Sequence, residues 1–149
     1  MKNLFQSDAL KEIQQRIEKL QPDSRRLWGK MEVAQMLAHC SATMEVAVGE
    51  KTPPRMFIGR ILGPLFKPSF TNDKPFSKGG PTDKSFLVID QRNFEKEKSR
   101  LLELITQFAS GGPEKVTKSP HSFFGKMTAI EWSTGMYKHL DHHLKQFGV

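Results

Sequence analysis

Four segments of the chain repeat apolar side chains at helical spacing, with polar and charged side chains between them. In each segment the apolar positions recur three or four residues apart, which places them on one face of a helix. The segments are Ser7–Leu20, Met31–Val48, Asp90–Phe108 and Thr128–Phe147. The run SFLVID, Ser85 to Asp90, is the one strand candidate, and we discount it. The pattern predicts an all-α fold, a four-helix bundle.

Local signals mark where two of these helices end or begin. The run Ser110–Pro113 follows the third segment and is expected to close it, because its glycines and proline interrupt a helix. Thr128 followed by Glu131 has the form of a capping box, in which the two side chains satisfy each other's free backbone amides. We therefore expect the fourth helix to start there.

The stretch between the second and third segments, Thr52 to Lys84, carries most of the prolines and several glycines. It predicts a long irregular connection across the surface, part of which can be helical. Its apolar run Met56–Phe66 can pack on the bundle or bury itself against a second subunit, so a homodimer is one expectation. Gly59, Gly63 and Pro64 interrupt the pattern of an interfacial helix, so we expect no membrane partner.

Composition narrows the class of protein. The chain has 149 residues, enough for one domain spanning 1–149, and its 37% apolar and 26% charged residues are typical of a globular protein. No apolar run approaches the ~20 residues that cross a bilayer, and the start of the chain does not stay apolar as a signal peptide would, so we expect a cytoplasmic protein. The net charge of +7 is spread along the chain without a recognition motif, so no nucleic-acid partner is expected.

The candidate chemistry lies in the histidines of the fourth helix. Its apolar residues define a buried side and its charged residues an exposed side; the first are Trp132, Met136, Leu140, Leu144 and Phe147, the second Lys138, Asp141 and Lys145. His143 falls within the buried side and His139 at its edge, whereas His142 points towards solvent. His139 and His143 can therefore face inward together, at the i, i+4 spacing that lets two imidazoles reach one ion. Two partly buried, hydrogen-bonded histidines without an ion would give the same pattern.

A third imidazole from another helix would complete such a site, because three nitrogen ligands leave an ion one or more open positions. His39 on the second helix is the natural candidate. It lies away from the apolar stripe of its helix, beside Gln35 and Thr43, on a polar side that can line a cleft or form plain surface. His121, in the loop before the fourth helix, is expected to make a structural hydrogen bond or to support a ligand.

Cys40 follows His39 directly and is the one cysteine of the chain. Adjacent helical residues point about 100° apart, so the two side chains face different directions. Cys40 falls on the apolar stripe, and we interpret it as a small core residue and not as a nucleophile.

The helix KHLDHHLKQFG, preceded by PHSFFGKMTAIEW and combined with LWGKMEVAQMLAHC, resembles the DinB-like superfamily, in particular one of its bacterial families of unknown function. The resemblance covers Trp28 to Val149. It implies an up-down-down-up bundle that binds a divalent ion, commonly zinc or nickel, through His39, His139 and His143. Better-understood relatives are thiol-dependent S-transferases and an isomerase that uses a low-molecular-weight thiol, so the resemblance also implies a thiol cofactor for this chain.

The expected function is that of a metal-dependent transferase, thiol-dependent in one version, or a hydrolase acting on a small-molecule substrate. An ion with open positions can lower the pKa of a bound water or stabilise a thiolate, and either gives a nucleophile. Glu32, two turns before His39, is the candidate general base. Gln35, Trp132 and Gln146 are expected to line the cleft.

The alternative function is a non-catalytic, metal-stabilised binding or stress-response module. Its distinguishing sign would be a closed coordination sphere, with His121 or a carboxylate as a fourth protein ligand and no exchangeable position.

Overall fold

The computed structural model describes residues 1–80 and 82–149, and it is all-helical. Five α-helices follow one another along the chain: α1 (Ser7–Lys19), α2 (Val33–Ala47), α3 (Phe57–Thr71), α4 (Phe94–Lys115) and α5 (Ala129–Gln146). No β-strand occurs among the described residues, and the discounted strand candidate overlaps a short 3₁₀ turn, Lys84–Phe86. The predicted all-α class is confirmed. The predicted count of four helices is wrong, because α3 lies within the connection that was expected to be irregular.

Helix α3 forms where glycines and prolines argue against a helix. Gly59 and Gly63 are buried against the backbone of Phe123, where an added Cβ would overlap main-chain atoms. The two glycines therefore let α3 approach the loop before α5 more closely than larger residues would. Pro64 and Pro68 lie inside the helix on its exposed side, where water can reach the carbonyl groups that they leave unbonded.

The capping box predicted at the start of the last helix is confirmed. The Thr128 hydroxyl accepts the N–H of Glu131 at 3.2 Å, and the Glu131 carboxylate accepts the N–H of Thr128 at 2.7 Å. Helix α4 is capped by Asn93, three residues later than the predicted start at Asp90. It also runs past its predicted end, with a break at Gly112 (φ 62°, ψ −170°), so the glycine–proline signal produces a kink inside the helix.

The buried apolar side chains form one cluster, to which α1, α2, α4 and α5 all contribute. Helix α2 packs along α4, and α5 lies against each of the other four helices. The largest fully buried side chains include Ile13, Ile17, Leu37, Leu104, Ile105, Trp132 and Leu140. Burial of each contributes about 1.5–3 kcal/mol, so the core fixes α2 and α5 relative to each other. No helix in the described part of the chain combines the length and apolarity needed to span a bilayer.

Candidate metal centre

Three histidines from two helices converge at the contact between α2 and α5. His39 comes from α2, and His139 and His143 come from successive turns of α5. Their candidate ligand atoms all lie within 4.8 Å of one another, and the Nε2 atoms of His39 and His139 are 3.0 Å apart. The core contact between the two helices therefore brings together the three histidines that the sequence and the resemblance selected.

Two of these histidines have an oxygen close to Nδ1, the ring nitrogen on the other side of the imidazole from Nε2. The role of that oxygen, as donor or acceptor, determines which ring nitrogen carries the proton. The Nδ1 of His39 lies 2.8 Å from the carbonyl oxygen of Phe86, which can only accept, so Nδ1 carries the proton. Thr43 gives its one hydroxyl hydrogen to the Cys40 carbonyl at 2.8 Å, which leaves its oxygen to accept from Nδ1 of His139 at 3.4 Å. In the neutral His39 ring the proton thus sits on Nδ1 and the Nε2 lone pair is free, and Thr43 permits the same tautomer in His139.

The third ring is set in the same way by an amide on its own helix. The Nε2 of Gln146 donates to the carbonyl of Trp28 at 2.8 Å, and this fixes which end of the amide faces the histidine. The Oε1 of Gln146 then accepts from Nδ1 of His143 at 2.9 Å. The surroundings of all three imidazoles are thus compatible with a proton on Nδ1, which is the tautomer that leaves Nε2 free to bind an ion.

Burial keeps the three rings neutral. His39 is 3% and His143 8% exposed, and His139 is half-buried. Burial lowers the pKa of His39, and it lowers that of His139 further, aided by repulsion from the other two imidazoles. Burial also lowers the pKa of His143 to about 3. At neutral pH the site consequently holds no ring proton in the way of a cation.

The donor set suits a borderline divalent ion. Imidazole nitrogens are common ligands of zinc and nickel, with zinc–nitrogen distances of about 2.0–2.1 Å, which separate two ligand nitrogens by about 3.3 Å in a tetrahedral site. The Nε2 atoms of His39 and His139 are 3.0 Å apart, close to that separation. Two facing lone pairs repel, and a cation between them removes the repulsion.

Two of the predicted cleft residues touch the histidines or their neighbours. Gln146 is 4% exposed and holds His143 as described. Trp132 is 1% exposed and packs its ring against His121, with centroids 5.3 Å apart, and its buried indole N–H has no hydrogen-bond partner among the described residues. Trp132 lies two turns before His139 on the same face of α5.

Glu32 and Gln35 lie at the start of α2, and Gln35 is one turn before His39 on the same helix. They form a capping box there, in which the side chain of Gln35 accepts the N–H of Glu32 at 2.9 Å. The Nε2 of Gln35 also donates to the carbonyl of Asp90 at 3.1 Å. Glu32 precedes His39 by seven residues, about 10 Å along the helix, which is beyond the hydrogen-bond reach of a general base acting at the histidines.

The remaining histidines have partners of their own. The Nδ1 of His121 accepts the backbone N–H groups of Phe123 and Phe124 at 3.1 and 3.2 Å, and burial lowers the pKa of this ring to about 4. The His142 ring stands edge-on to Trp28 and Phe76, with centroids 5.9 and 5.8 Å apart. His121 thus makes the structural hydrogen bonds expected for it, and His142 lies among aromatic side chains.

Lys138 corrects one part of the helical-wheel assignment, which placed it on the exposed side. It is 7% exposed, and its ammonium donates to the carbonyl of Ser69 at 2.6 Å and to the side chain of Asn72 at 2.9 Å. The end of α3 covers this side of α5, which the pattern of α5 alone cannot show. The wheel was right for Cys40, which is 1% exposed; burial raises the pKa of its thiol.

Fold and site together define an all-helical protein with a buried cluster of three histidines. Residues 2–148 match the family described as a protein of unknown function, DUF1569, and the chain therefore belongs to that family. Comparison with curated proteins and with solved structures finds no match.

Proposed function

We propose that the Nε2 atoms of His39, His139 and His143 hold one divalent metal ion, zinc or nickel by their ligand chemistry. The observation that carries this proposal is the direction of the lone pairs. Each Nδ1 has an oxygen within hydrogen-bond distance, the Nε2 atoms of His39 and His139 face each other, and the candidate ligand atoms of all three rings lie within 4.8 Å of one another. A purely structural histidine cluster would be expected to pair these nitrogens with hydrogen-bond donors.

We propose further that the site is catalytic, in a metal-dependent transferase or hydrolase that acts on a small molecule. Such an ion, when bound, supplies Lewis acidity and makes a water or thiol that reaches it a stronger nucleophile. Within residues 1–80 and 82–149, the cluster able to hold the ion contains three histidines and no carboxylate. Three protein ligands leave a position for substrate or solvent, as in catalytic zinc sites.

The same features support the resemblance to DinB-like proteins, which we retain as a proposal. One ligand on the second helix and two on the last helix agree with the ligand arrangement of that superfamily. In this assignment α1, α2, α4 and α5 are its four bundle helices with up-down-down-up topology, and α3 belongs to the connection in which members differ. A low-molecular-weight thiol is then the candidate cosubstrate.

The alternative, a non-catalytic metal-stabilised module, needs a fourth protein ligand to close the coordination sphere. His121 is the histidine best placed in sequence for that role, but its Nδ1 already accepts two backbone amides. Because Nδ1 accepts these amides, the neutral His121 ring carries its proton on Nε2, so neither nitrogen offers a free lone pair to an ion, and this favours the catalytic proposal.

Metal analysis tests the ion directly. Protein purified without a polyhistidine tag and equilibrated with zinc or nickel should retain about one ion per chain after gel filtration. His139→Ala should lose it, whereas His142→Ala, a neighbouring histidine outside the cluster, should keep it. Stoichiometric metal in His139→Ala would contradict the site.

Turnover assays then separate the two functions. Panels of low-molecular-weight thiols with electrophiles, and of hydrolysable esters and amides, should show activity that a chelator removes and zinc or nickel restores. A chain that binds one ion tightly but turns over none of these compounds would support the non-catalytic module instead.

A further inference from the structure

In its first turns, helix α3 directs its glycines inward and most of its large apolar residues outward, whereas Phe70 near its end is buried. Gly59 and Gly63 face the body of the protein, whereas Phe57, Ile61 and Leu65 are 79%, 64% and 73% exposed. An ordinary surface helix has the opposite arrangement, because burial of aliphatic and aromatic side chains is what holds it in place. The outward-facing apolar side chains of α3 are therefore available to pack against another apolar surface.

Four of these residues form one stripe along the helix, which we call the α3 stripe: Phe57, Ile58, Ile61 and Leu65. At about 100° per residue, Phe57, Ile61 and Leu65 lie within about 80° of arc, centred opposite the buried Gly59 and Gly63. All four side chains of the stripe are at least 51% exposed. The stripe is thus continuous over about two and a half helical turns.

The charged side chains of the segment that carries the α3 stripe all have one sign. Residues 51–71 contain four cationic side chains and no carboxylate. Lys51 and Lys67 pair with acids from other elements. Arg55 and Arg60 make no ion pair within the described part of the chain, and Arg60 is exposed beside the stripe. An apolar stripe with cations at its edge is complementary to a surface in which an apolar region is bordered by anionic groups.

We propose that α3 docks on an anionic lipid surface, with the stripe inserted among the acyl chains and Arg60 at the headgroups. This proposal revises the expectation of no membrane partner, which rested on Gly59, Gly63 and Pro64 interrupting the helix. The two glycines lie on the inward side and leave the outward stripe unbroken. The docking surface lies on α3 and needs no metal at the histidines.

Area and charge favour the lipid surface over a second copy of the chain. The α3 stripe exposes on the order of 500 Å², whereas a stable protein interface buries about 800 Å² per partner. An antiparallel two-fold contact centred on Ile61 would also set Arg60 of one copy near Arg60 of the other, with no carboxylate in residues 51–71 to pair them. Like charges at a contact oppose association.

Sedimentation with lipid vesicles tests the proposal on the full chain. Vesicles of equal parts phosphatidylglycerol and phosphatidylcholine should bind the protein, and pure phosphatidylcholine vesicles should bind it more than about tenfold less well. Combining Phe57→Ser, Ile61→Ser and Leu65→Ser should weaken binding to the anionic vesicles by more than about tenfold. Arg60→Glu should weaken it by roughly tenfold and make the residual binding less sensitive to salt.

Matched substitutions elsewhere control for general effects. Ile89→Ser removes an aliphatic side chain that is 89% exposed outside α3, and Arg25→Glu reverses an exposed charge outside α3; neither should change binding. If circular dichroism shows that the triple variant is unfolded, the single variant Ile61→Ser replaces it in the test of binding to anionic vesicles. Absence of binding to anionic vesicles, equal binding to phosphatidylcholine, or a dimer in analytical ultracentrifugation that Ile61→Ser dissociates would each overturn the proposal.

Discussion

Gln146 offers the sharpest test of the lone-pair argument, because it touches the candidate metal centre without being a ligand. Its side chain joins His143 to the Trp28 carbonyl through hydrogen bonds of 2.9 and 2.8 Å, and it is 4% exposed. Gln146→Leu keeps the size of the side chain and removes both bonds. The His143 ring then loses the acceptor that holds the proton on Nδ1.

The expected loss of metal affinity is 10–100-fold, the usual effect of removing a hydrogen-bond partner of a ligating histidine. That corresponds to about 1.4–2.7 kcal/mol. Two broken hydrogen bonds and an orphaned buried carbonyl at Trp28 should also lower the free energy of unfolding by roughly 2–4 kcal/mol. Gln146→Glu, which still offers an acceptor to His143, should retain affinity within a few-fold.

Competition with a chromogenic zinc chelator measures the affinity, and urea unfolding of the metal-free protein measures stability. Gln15→Leu, an exposed position on α1, is the matched control and should leave both unchanged. Wild-type zinc affinity in a folded Gln146→Leu protein would refute the claim that this amide sets the ligating tautomer.

Two further predictions concern the loop before α5. Burial lowers the pKa of His121 to about 4 in the folded protein, from about 6.5 in the unfolded chain. The contribution of the neutral ring to the free energy of unfolding is therefore complete above pH 6.5 and is lost as the pH falls towards 4, by about 3 kcal/mol in all. Urea unfolding of the metal-free protein across this pH range should show a smaller loss of unfolding free energy for His121→Asn than for the wild type. The asparagine side-chain oxygen can still accept from Phe123 and Phe124, but it does not titrate. Equal losses in the two proteins would contradict the argument. Gly63→Ala would place a Cβ against the Phe123 carbonyl. It should lower the free energy of unfolding by about 1–3 kcal/mol and, with it, the melting temperature. Gly80→Ala meets only ordinary contacts and should have little effect, and equal melting temperatures for the two variants would contradict the close approach of α3.

Local patterns predicted the elements whose signals lie close together in the chain. The apolar stripes located four of the five helices, and the Thr128–Glu131 capping box fixed the start of the last one. Helix α3 was predicted only as a helical part of an irregular connection, because glycine and proline count against a helix in any local pattern. Whether Gly63 weakens a helix or lets it pack closely depends on Phe123, which lies 60 residues further along the chain.

The candidate metal centre was also predicted only in part from local patterns in the sequence. The spacing of His139 and His143 identified a pair that can face one ion, and His39 followed from the resemblance. The partner that fixes His39 is a main-chain carbonyl at Phe86, 47 residues away, and any residue type can supply a carbonyl. Thr43, four residues after His39, was noted beside it as part of a polar side, but its role became visible only with α5 in place.

The facing Nε2 atoms of His39 and His139 also limit what the protein can do without an ion. The two rings can share a hydrogen bond only if one tautomer changes. If His39 changes, the Phe86 carbonyl loses its donor; if His139 changes, either Thr43 leaves the Cys40 carbonyl or two lone pairs face each other. The first choice removes a hydrogen bond, which contributes about 0.5–1.5 kcal/mol. In the second, Thr43 exchanges the Cys40 carbonyl for Nδ1 of His139, and the Cys40 carbonyl keeps its helical N–H donor. An ion between the rings would leave all three partners in place, and this is the physical basis of the proposed metal site.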